Sequence, residues 1–283
     1  MLIENGATIY PSTLVHACEA GQLEVARVLL ENGAESVGDL EEGYSPLHAA
    51  CEAGNREIVE LLLDHGADIE AKLDGVQTPL GFACAYGHEE IGRLLLDRNA
   101  KLVLSDEDPY DYEWEQFQGY PDEDDCSTTA LHIAAAVGRE DIAQMLIEHD
   151  PLIINSLDAE GWTALHMAIQ EGHEGVARFL IERGIPLDVD SNWRITALHF
   201  ALVKGMHSVA QQLLDKGADS TIRNDDDNTA LHSAAMTGAH GAVKTILSQG
   251  KVGVNTWGVK GKTPLHLAAL QWSNCCSRMQ KQM

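Results

Sequence analysis

Thirteen histidines and six cysteines are the side chains of this 283-residue sequence that could bind a metal or move a proton. Six of the histidines follow a Ser or Thr by three residues, at one position of a recurring pattern: His48, His132, His166, His199, His232 and His266. The other histidines do not show the short spacings that bring ligands to one zinc ion. The histidines therefore do not indicate a metal site.

Three of the cysteines, Cys18, Cys51 and Cys84, share one position of the same pattern. Zinc needs sulfur ligands about 2.3 Å away, whereas neighbouring helices pack about 8 to 10 Å apart. Thiols aligned on successive helices are therefore predicted to be small buried side chains. The vicinal pair Cys275-Cys276 has no second pair with which to form a site. We predict no bound metal, and reduced thiols instead of a disulfide framework.

Paired carboxylates are frequent, as in Glu41-Glu42 and Asp225-Asp226-Asp227. A catalytic carboxylate needs a pocket that shifts its pKa, and no feature of the sequence predicts such a pocket. The sequence also lacks a glycine-rich phosphate loop and a Gly-x-Ser-x-Gly nucleophile motif. We therefore predict no catalytic residues, no cofactor and no enzyme activity in this chain.

The composition is strongly acidic, with 44 Asp and Glu against 19 Lys and Arg and a formal net charge of −25. This charge opposes binding to nucleic acid or anionic lipid, so we expect a partner protein with a basic or neutral surface. No apolar run approaches the roughly 20 residues that span a bilayer. We expect no membrane insertion and an intracellular chain, cytoplasmic or nuclear.

The recurring pattern extends over the chain, and each copy starts with Ser or Thr two residues before a Leu. The copies start at Ser12, Ser45, Thr78, Thr129, Thr163, Thr196, Thr229 and Thr263. Successive starts lie 33 or 34 residues apart, except that 51 residues separate Thr78 from Thr129. The third copy is therefore followed by an insertion.

Each copy predicts two short helices. The starting Ser or Thr caps the first helix by accepting a bond from a backbone amide, and a Gly such as Gly54 ends it nine residues later. Thirteen residues after the start, an apolar quartet such as Ile58-Val59-Leu62-Leu63 begins the second helix and marks its buried face. Asn99 and Asp150 replace the Gly that ends this helix in other copies, and both residue types tolerate left-handed backbone angles.

Helices this short are stable only when they pack on neighbouring pairs. The start Thr263-Pro264-Leu265-His266, the 33-residue period and the closing Leu61–Ala67 resemble the ankyrin repeat. The resemblance implies an all-α ankyrin-repeat solenoid of stacked helix-turn-helix pairs with finger-like β-turn loops. It also implies that the motif histidines bond locally and support the turn.

This register divides the chain into repeats with incomplete ends. The predicted segments are the end of a preceding repeat (1–7), a degenerate repeat 1 (8–40), repeats 2 and 3 (41–73 and 74–104), an insert (105–124), repeats 4 to 7 (125–158, 159–191, 192–224 and 225–258), a partial repeat 8 (259–271) and a degenerate tail (272–283). The opening residues match Val28–Ala34, and Trp272 replaces an expected Gly. We therefore expect a fragment or variant of a longer repeat protein.

The resemblance implies that partners bind on the fingers and on the concave face lined by the first helices. Aromatic residues occupy the finger positions Tyr44, Trp162 and Trp193. These rings either bind a partner or pack on the neighbouring finger. The concave positions carry polar and aromatic residues at Glu19, Glu52, Tyr86 and Gln170. A basic ligand that tolerates aromatic contacts suits these positions.

The insertion is both acidic and aromatic. Residues 105–125 contain ten acidic residues, five aromatic rings and no Lys or Arg. We predict that Trp114, Phe117 and Tyr120 belong to a recognition element, because a mere spacer gains nothing from aromatic rings. The alternative is a flexible, solvated loop.

These features predict a protein-protein interaction module that acts as a scaffold, an adaptor or a substrate receptor. The alternative is a regulatory or targeting domain of a larger enzyme or ion channel whose functional part lies outside this chain. A third interpretation, also implied by the resemblance, is hydroxylation of Asn155 or Asn255, although the usual preceding Asp-Val is absent here.

Overall fold

The computed structural model describes residues 10–34, 44–73, 77–105, 128–189, 191 and 194–271. Within these ranges the chain forms pairs of short antiparallel helices. The first helices of the pairs are α1 (Pro11–Glu19), α3 (Pro46–Ala53), α5 (Pro79–Tyr86), α7 (Ala130–Ala136), α9 (Ala164–Glu171), α11 (Ala197–Val203) and α13 (Ala230–Thr237). The second helices are α2 (Leu23–Glu31), α4 (Arg56–Asp64), α6 (Glu89–Asp97), α8 (Glu140–His149), α10 (Glu174–Glu182), α12 (His207–Asp215) and α14 (His240–Gln249). Residues 264–271 are also helical.

The described residues form two compact units. The first contains the residues up to Ala134 together with Arg139–Ala159, and the second contains Ala135–Gly138 and the residues from Glu160 onward. In the first unit α3 packs between α1 and α5, and α4 packs between α2 and α6. In the second unit α11 packs between α9 and α13, and α12 packs between α10 and α14. Each unit is therefore a stack of helix pairs, as the repeat pattern predicts.

The caps of α3 and α5 follow the sequence prediction, whereas Thr196 at the start of α11 makes no side-chain cap hydrogen bond. The backbone amide of His48 donates to the Ser45 hydroxyl, which satisfies an amide that has no partner inside the helix. Thr78 caps α5 in the same way through the amide of Gly81. Gly54 ends α3 with φ of 75°, a left-handed angle that costs an L side chain energy. These capped ends limit the first helices to about two turns.

The predicted starts of the second helices, and that of the first helix of repeat 1, are wrong. The second helices begin two residues before their apolar quartets, since their first turns carry exposed polar residues such as Glu57, which suit the positive end of a helix. The first helix of repeat 1 begins at Pro11 and not after Ser12, and no side chain caps it. Proline is favourable at a first helical position because it has no amide to leave unpaired.

The quartets form the predicted buried faces. Ile58, Val59 and Leu62 are at most 1% exposed, and the quartets of α6, α8, α10 and α12 are buried throughout. The exceptions are Leu63 and Val243, which are half-buried, and Val25 and Leu247, which are exposed.

The two substitutes for glycine behave differently. Asn99 has φ of 66°, so it takes the predicted left-handed conformation at the end of α6. Asp150 does not, because its backbone is extended with φ of −135°. Its carboxylate instead accepts a bond of 2.9 Å from the amide of Leu152 and thereby caps a short 3₁₀ helix, Pro151–Asn155.

A two-stranded sheet joins the residues before and after the insertion, and it was not predicted from the sequence. Strand β1 (Val103–Ser105) pairs antiparallel with β2 (Thr128–Thr129), which places Val103 opposite Thr129. The two ends of the insertion are therefore joined by backbone hydrogen bonds, and α7 follows at once.

Candidate protein-interaction surface

A carboxylate held by two tyrosines joins repeats 2 and 3 of the first unit. The Tyr44 hydroxyl donates to Oε2 of Glu52 at 2.7 Å, and the Tyr86 hydroxyl donates to Oε1 at 2.8 Å. Tyr44 precedes α3, Glu52 lies in its last turn, and Tyr86 is the last residue of α5. The structure therefore brings together three residues that the sequence analysis selected separately, two on repeat 2 and one on repeat 3.

Aromatic rings pack around this carboxylate. The Phe82 ring stacks nearly parallel to the Tyr86 ring, with an interplanar angle of 16° and centroids 6.1 Å apart. The centroid of the Phe82 ring also lies 6.1 Å from that of the Tyr44 ring and 5.2 Å from that of the His48 ring. We refer to Tyr44, His48, Glu52, Phe82 and Tyr86 as the Glu52 cluster.

Phe82 is buried, Tyr44 and Glu52 are half-buried, and Tyr86 is 47% exposed. Solvent therefore reaches the cluster on the side of Tyr86.

The surface around the cluster is negative. Burial, the hydrogen bond to Glu52 and the charges of Glu52 and Glu19 raise the pKa of Tyr44. The hydrogen bond to Glu52 is likewise the main cause of the raised pKa of Tyr86. Glu19 is the exposed last residue of α1, which packs beside α3. Two carboxylates thus stand near the negative ends of successive helices, where a cation is favoured.

The residues after the helix-ending glycines form a second cross-repeat feature. Four of these side chains donate to a carbonyl near the end of the preceding first helix, and this feature was missed in the sequence. The bonds run from Asn55 to Cys18 O (3.4 Å), from His88 to Glu52 O (3.0 Å), from Arg139 to Tyr86 O (3.1 Å) and from His173 to Ala136 O (2.9 Å). Carbonyls that lack a partner inside the helix are thereby satisfied.

The predicted role of the motif histidines is confirmed. His48 Nδ1 accepts from the Ser45 backbone amide at 3.2 Å and lies 2.8 Å from the Ser45 hydroxyl. Its Nε2 donates to the carbonyl of Gln77 in the next finger at 3.0 Å. Burial lowers the pKa of His48 and lowers that of His199 to about 4. The His48 imidazole is therefore a neutral connector between repeats 2 and 3.

Trp162 belongs to the second unit and is half-buried. Its ring meets the Phe200 ring edge to face at 5.2 Å and lies 6.5 Å from the His166 ring. This contact is the counterpart of Tyr44 with Phe82, because in both pairs the Phe stands 38 residues after the finger aromatic. That shared spacing is a sequence signal by which Phe82 could have been found.

The other predicted site residues are described separately. Gln170 lies in α9 of the second unit, where its backbone carbonyl accepts a hydrogen bond from the Lys204 ammonium at 3.1 Å. Four predicted contact residues lie outside the described residues, so their roles stay predictions: Trp114, Phe117, Tyr120 and Trp193.

The aligned cysteines are buried, as predicted, and burial raises the pKa of Cys18 and Cys84 to about 12. Thiols with so high a pKa are protonated at neutral pH and are weak ligands. Within the described ranges, no three His, Cys, Asp or Glu side chains are placed to hold a metal ion. Of the helices that the structure describes, none is long and apolar enough to cross a membrane.

Comparison with known proteins agrees with this architecture. A family model described as "Ankyrin repeats (3 copies)" matches residues 1–73, 70–152, 105–192, 152–224 and 198–280. The solved structure of the human ASB11 ankyrin repeat domain superposes with a TM-score of 0.69 at 24% sequence identity, covering 85% of this chain and 99% of that one. No curated protein sequence matches the chain significantly.

At 24% identity the solved structure supports the fold alone, whereas the family model covers most of the chain. The chain therefore belongs to the ankyrin-repeat family, whose repeats generally serve as protein-protein interaction modules.

Proposed function

We propose that this chain is a non-catalytic scaffold, adaptor or substrate receptor of the cytoplasm or nucleus, and that the Glu52 cluster binds a basic segment of its partner protein. The observation that carries this proposal is the Glu52 carboxylate, which two tyrosine hydroxyls hold in place beside the exposed Tyr86 ring.

The chemistry of the cluster favours a cationic side chain. Glu52 keeps lone pairs beyond the two that accept from Tyr44 and Tyr86, and Glu19 adds a second negative charge nearby. The exposed face of the Tyr86 ring attracts a guanidinium or ammonium group. The formal charge of −25 also speeds the approach of a basic partner.

The cluster is organised before any partner arrives. The rings of Phe82 and Tyr86 support each other, and both tyrosine hydroxyls are tied to one carboxylate. Side chains that are already fixed lose little rotamer freedom on binding. Tyrosine is one of the residue types enriched at binding hot spots, and Tyr86 is the most exposed ring of the cluster.

Affinity purification from native cells followed by mass spectrometry tests the proposal. Proteins recovered with the wild-type chain are compared with those recovered with Glu52→Gln, which removes one charge. The matched control is Glu57→Gln, which makes the same change on the exposed first turn of α4. We expect a specific partner to be lost with Glu52→Gln and kept with Glu57→Gln. Equal recovery with both variants contradicts the proposed site.

A further inference from the structure

A second group of side chains occupies the same five repeat positions as the Glu52 cluster. Counted from the finger aromatic Tyr44, the other members of that cluster follow by 4, 8, 38 and 42 residues. The same steps from Trp162 lead to His166, Gln170, Phe200 and Lys204. We refer to Trp162 and these four residues as the Lys204 cluster, which lies within the second unit.

The structure packs the Lys204 cluster much as it packs the Glu52 cluster. The Phe200 ring meets the Trp162 ring edge to face at 5.2 Å and the His166 ring at 5.9 Å. The Lys204 side chain reaches back to the preceding repeat, where its ammonium donates to the backbone carbonyl of Gln170 at 3.1 Å. In both clusters the last member is therefore tied to the residue near the end of the preceding first helix.

The charge of the two clusters is opposite. Gln170 stands where the first cluster has the carboxylate of Glu52, and Lys204 stands where it has the hydroxyl of Tyr86. The Lys204 side chain is exposed, and its ammonium has three N–H groups, one of which donates to Gln170. Within the described part of the chain, no carboxylate forms an ion pair with Lys204. Glu171, the exposed neighbour of Gln170, is an acidic residue beside this cation.

Apolar side chains adjoin the cation along the ends of three neighbouring first helices. Gln170, Val203 and Met236 occupy one repeat position in α9, α11 and α13, and α11 packs between the other two helices. Val203 precedes Lys204 and is 54% exposed, whereas Met236 and Phe200 are half-buried. Exposed apolar area therefore lies next to the Lys204 ammonium.

We propose that the Lys204 cluster is a second recognition site, and that it binds a segment of a partner protein in which a carboxylate adjoins a large apolar side chain. The carboxylate accepts charge-assisted hydrogen bonds from Lys204, which are stronger than neutral ones. The apolar side chain packs on Val203 and Phe200, which removes apolar area from water. Because this chemistry is opposite to that of the Glu52 cluster, the inference goes beyond the proposed function.

The charge of the whole chain does not exclude an acidic ligand. The formal charge of −25 repels such a ligand at a distance and slows its approach. At physiological salt the screening length is about 8 Å, so the groups in contact determine the affinity. The apolar contact is required as well, since an exposed ion pair alone contributes little.

Selection of a random displayed peptide library on the full chain tests the proposal. We expect a class of peptides in which Asp or Glu adjoins Leu, Phe or Trp. Fluorescence anisotropy then measures the affinity of one synthetic peptide of this class for each variant. Lys204→Gln should weaken binding by about tenfold or more, whereas Lys204→Arg keeps the charge and should bind within a few-fold of the wild type. The matched control is Lys216→Gln, which makes the same change at the exposed end of α12 and should bind like the wild type.

Gln170→Glu separates recognition from a purely structural role of Lys204. This change restores the carboxylate that the Glu52 cluster has at the same position, so it competes for Lys204 and repels the acidic peptide. We expect peptide binding to fall by about tenfold or more while the melting temperature does not fall. Val203→Asp at a 54% exposed position should weaken binding similarly, and it serves as the second variant if Lys204→Gln misfolds.

A library that yields no acidic, apolar peptides overturns the proposal. So does a peptide of this class that binds the Lys204→Gln and Val203→Asp chains as tightly as the wild type. These measurements use acidic peptides and variants of the second unit, whereas the Glu52 cluster is tested with a basic partner and with Glu52→Gln. Failure of one proposal is therefore distinguishable from failure of the other.

Discussion

The Tyr86 hydroxyl donates to the Glu52 carboxylate at 2.8 Å, although the two residues lie 34 positions apart in the sequence. Because one residue closes α5 and the other lies in the last turn of α3, this bond links the ends of two successive first helices. With the bond from Tyr44, it fixes a negative charge where a partner has access. The same bonds therefore serve both the stability of the stack and its proposed recognition.

Removing one tyrosine hydroxyl measures how much these bonds contribute to the stability of the stack. Tyr44→Phe leaves the half-buried ring in place but removes its bond to Glu52, so we expect a loss of about 1 kcal/mol in the free energy of unfolding. Tyr10→Phe makes the same change at a residue that is 63% exposed, and it should leave stability unchanged. Urea denaturation compares the two variants, and equal stabilities would show that the Tyr44 bond contributes nothing.

The packing of the second helices predicts a larger loss of stability than the loss expected for Tyr44→Phe. Leu62 is fully buried in α4 between α2 and α6, so Leu62→Ala should cost about 2 to 5 kcal/mol. Leu63→Ala removes the same atoms from a half-buried side chain and should cost less. A loss under about 0.5 kcal/mol for Leu62→Ala in chemical denaturation would mean that the inward face is wrongly assigned.

Replacing Gly54 or Gly92 by alanine is expected to change the stability of the chain in opposite directions. A methyl group at Gly54 meets Cε1 of the His88 ring at 2.5 Å on a left-handed backbone, so Gly54→Ala should cost at least about 1 to 2 kcal/mol. Gly92 lies in helical α6, where a methyl group meets only the movable end of Met145 at 2.9 Å. Gly92→Ala should therefore stabilise the chain by up to about 1 kcal/mol. Thermal unfolding measures the melting temperature of each variant against the wild type. Shifts of the same sign in the two variants would contradict this reasoning.

The buried histidines predict a loss of stability in mild acid. The pKa of His199 is about 4 in the folded chain and about 6.5 in an unfolded one, so only the unfolded chain takes up the proton between these values. The stability that the neutral His199 side chain contributes is complete above about pH 6.5 and is lost as the pH falls towards 4. At about pH 5 the loss in the free energy of unfolding is about 2 kcal/mol. Urea denaturation at about pH 7.5 and pH 5 should show this difference for the wild-type chain. In His199→Gln the difference should shrink, and an unchanged pH dependence would refute the assignment.

The sequence predicted most of the fold because local chemistry recurs in every copy. Capping residues such as Ser45 and the apolar quartets set the helices, and the constant period sets their order. The errors at Pro11 and Asp150 arose where another local interaction was stronger, proline at a first helical position and a carboxylate capping the next turn. The pairing of Val103 with Thr129 joins the two ends of a long insertion, which a periodic pattern cannot reveal.

The candidate surface was predicted in part. The register placed Tyr44, Glu52 and Tyr86 on the binding side, because the ankyrin resemblance assigns positions. It did not show that one carboxylate binds both hydroxyls, since that depends on side-chain rotamers across two repeats. Phe82 was missed because its position in the first helix is apolar in most copies, and only its spacing from Tyr44 distinguishes it.

The most direct test of the central claim is the affinity of a confirmed partner segment for the wild-type chain, Glu52→Gln and Glu57→Gln, measured by isothermal titration calorimetry. If the Glu52 cluster binds a basic segment, Glu52→Gln should lose about 1.5 to 3 kcal/mol of binding free energy, or roughly ten- to more than a hundredfold in affinity. Glu57→Gln, which has the same net charge, should bind like the wild type. Equal affinities for all three chains would contradict the claim that this protein recognises its partner through Glu52.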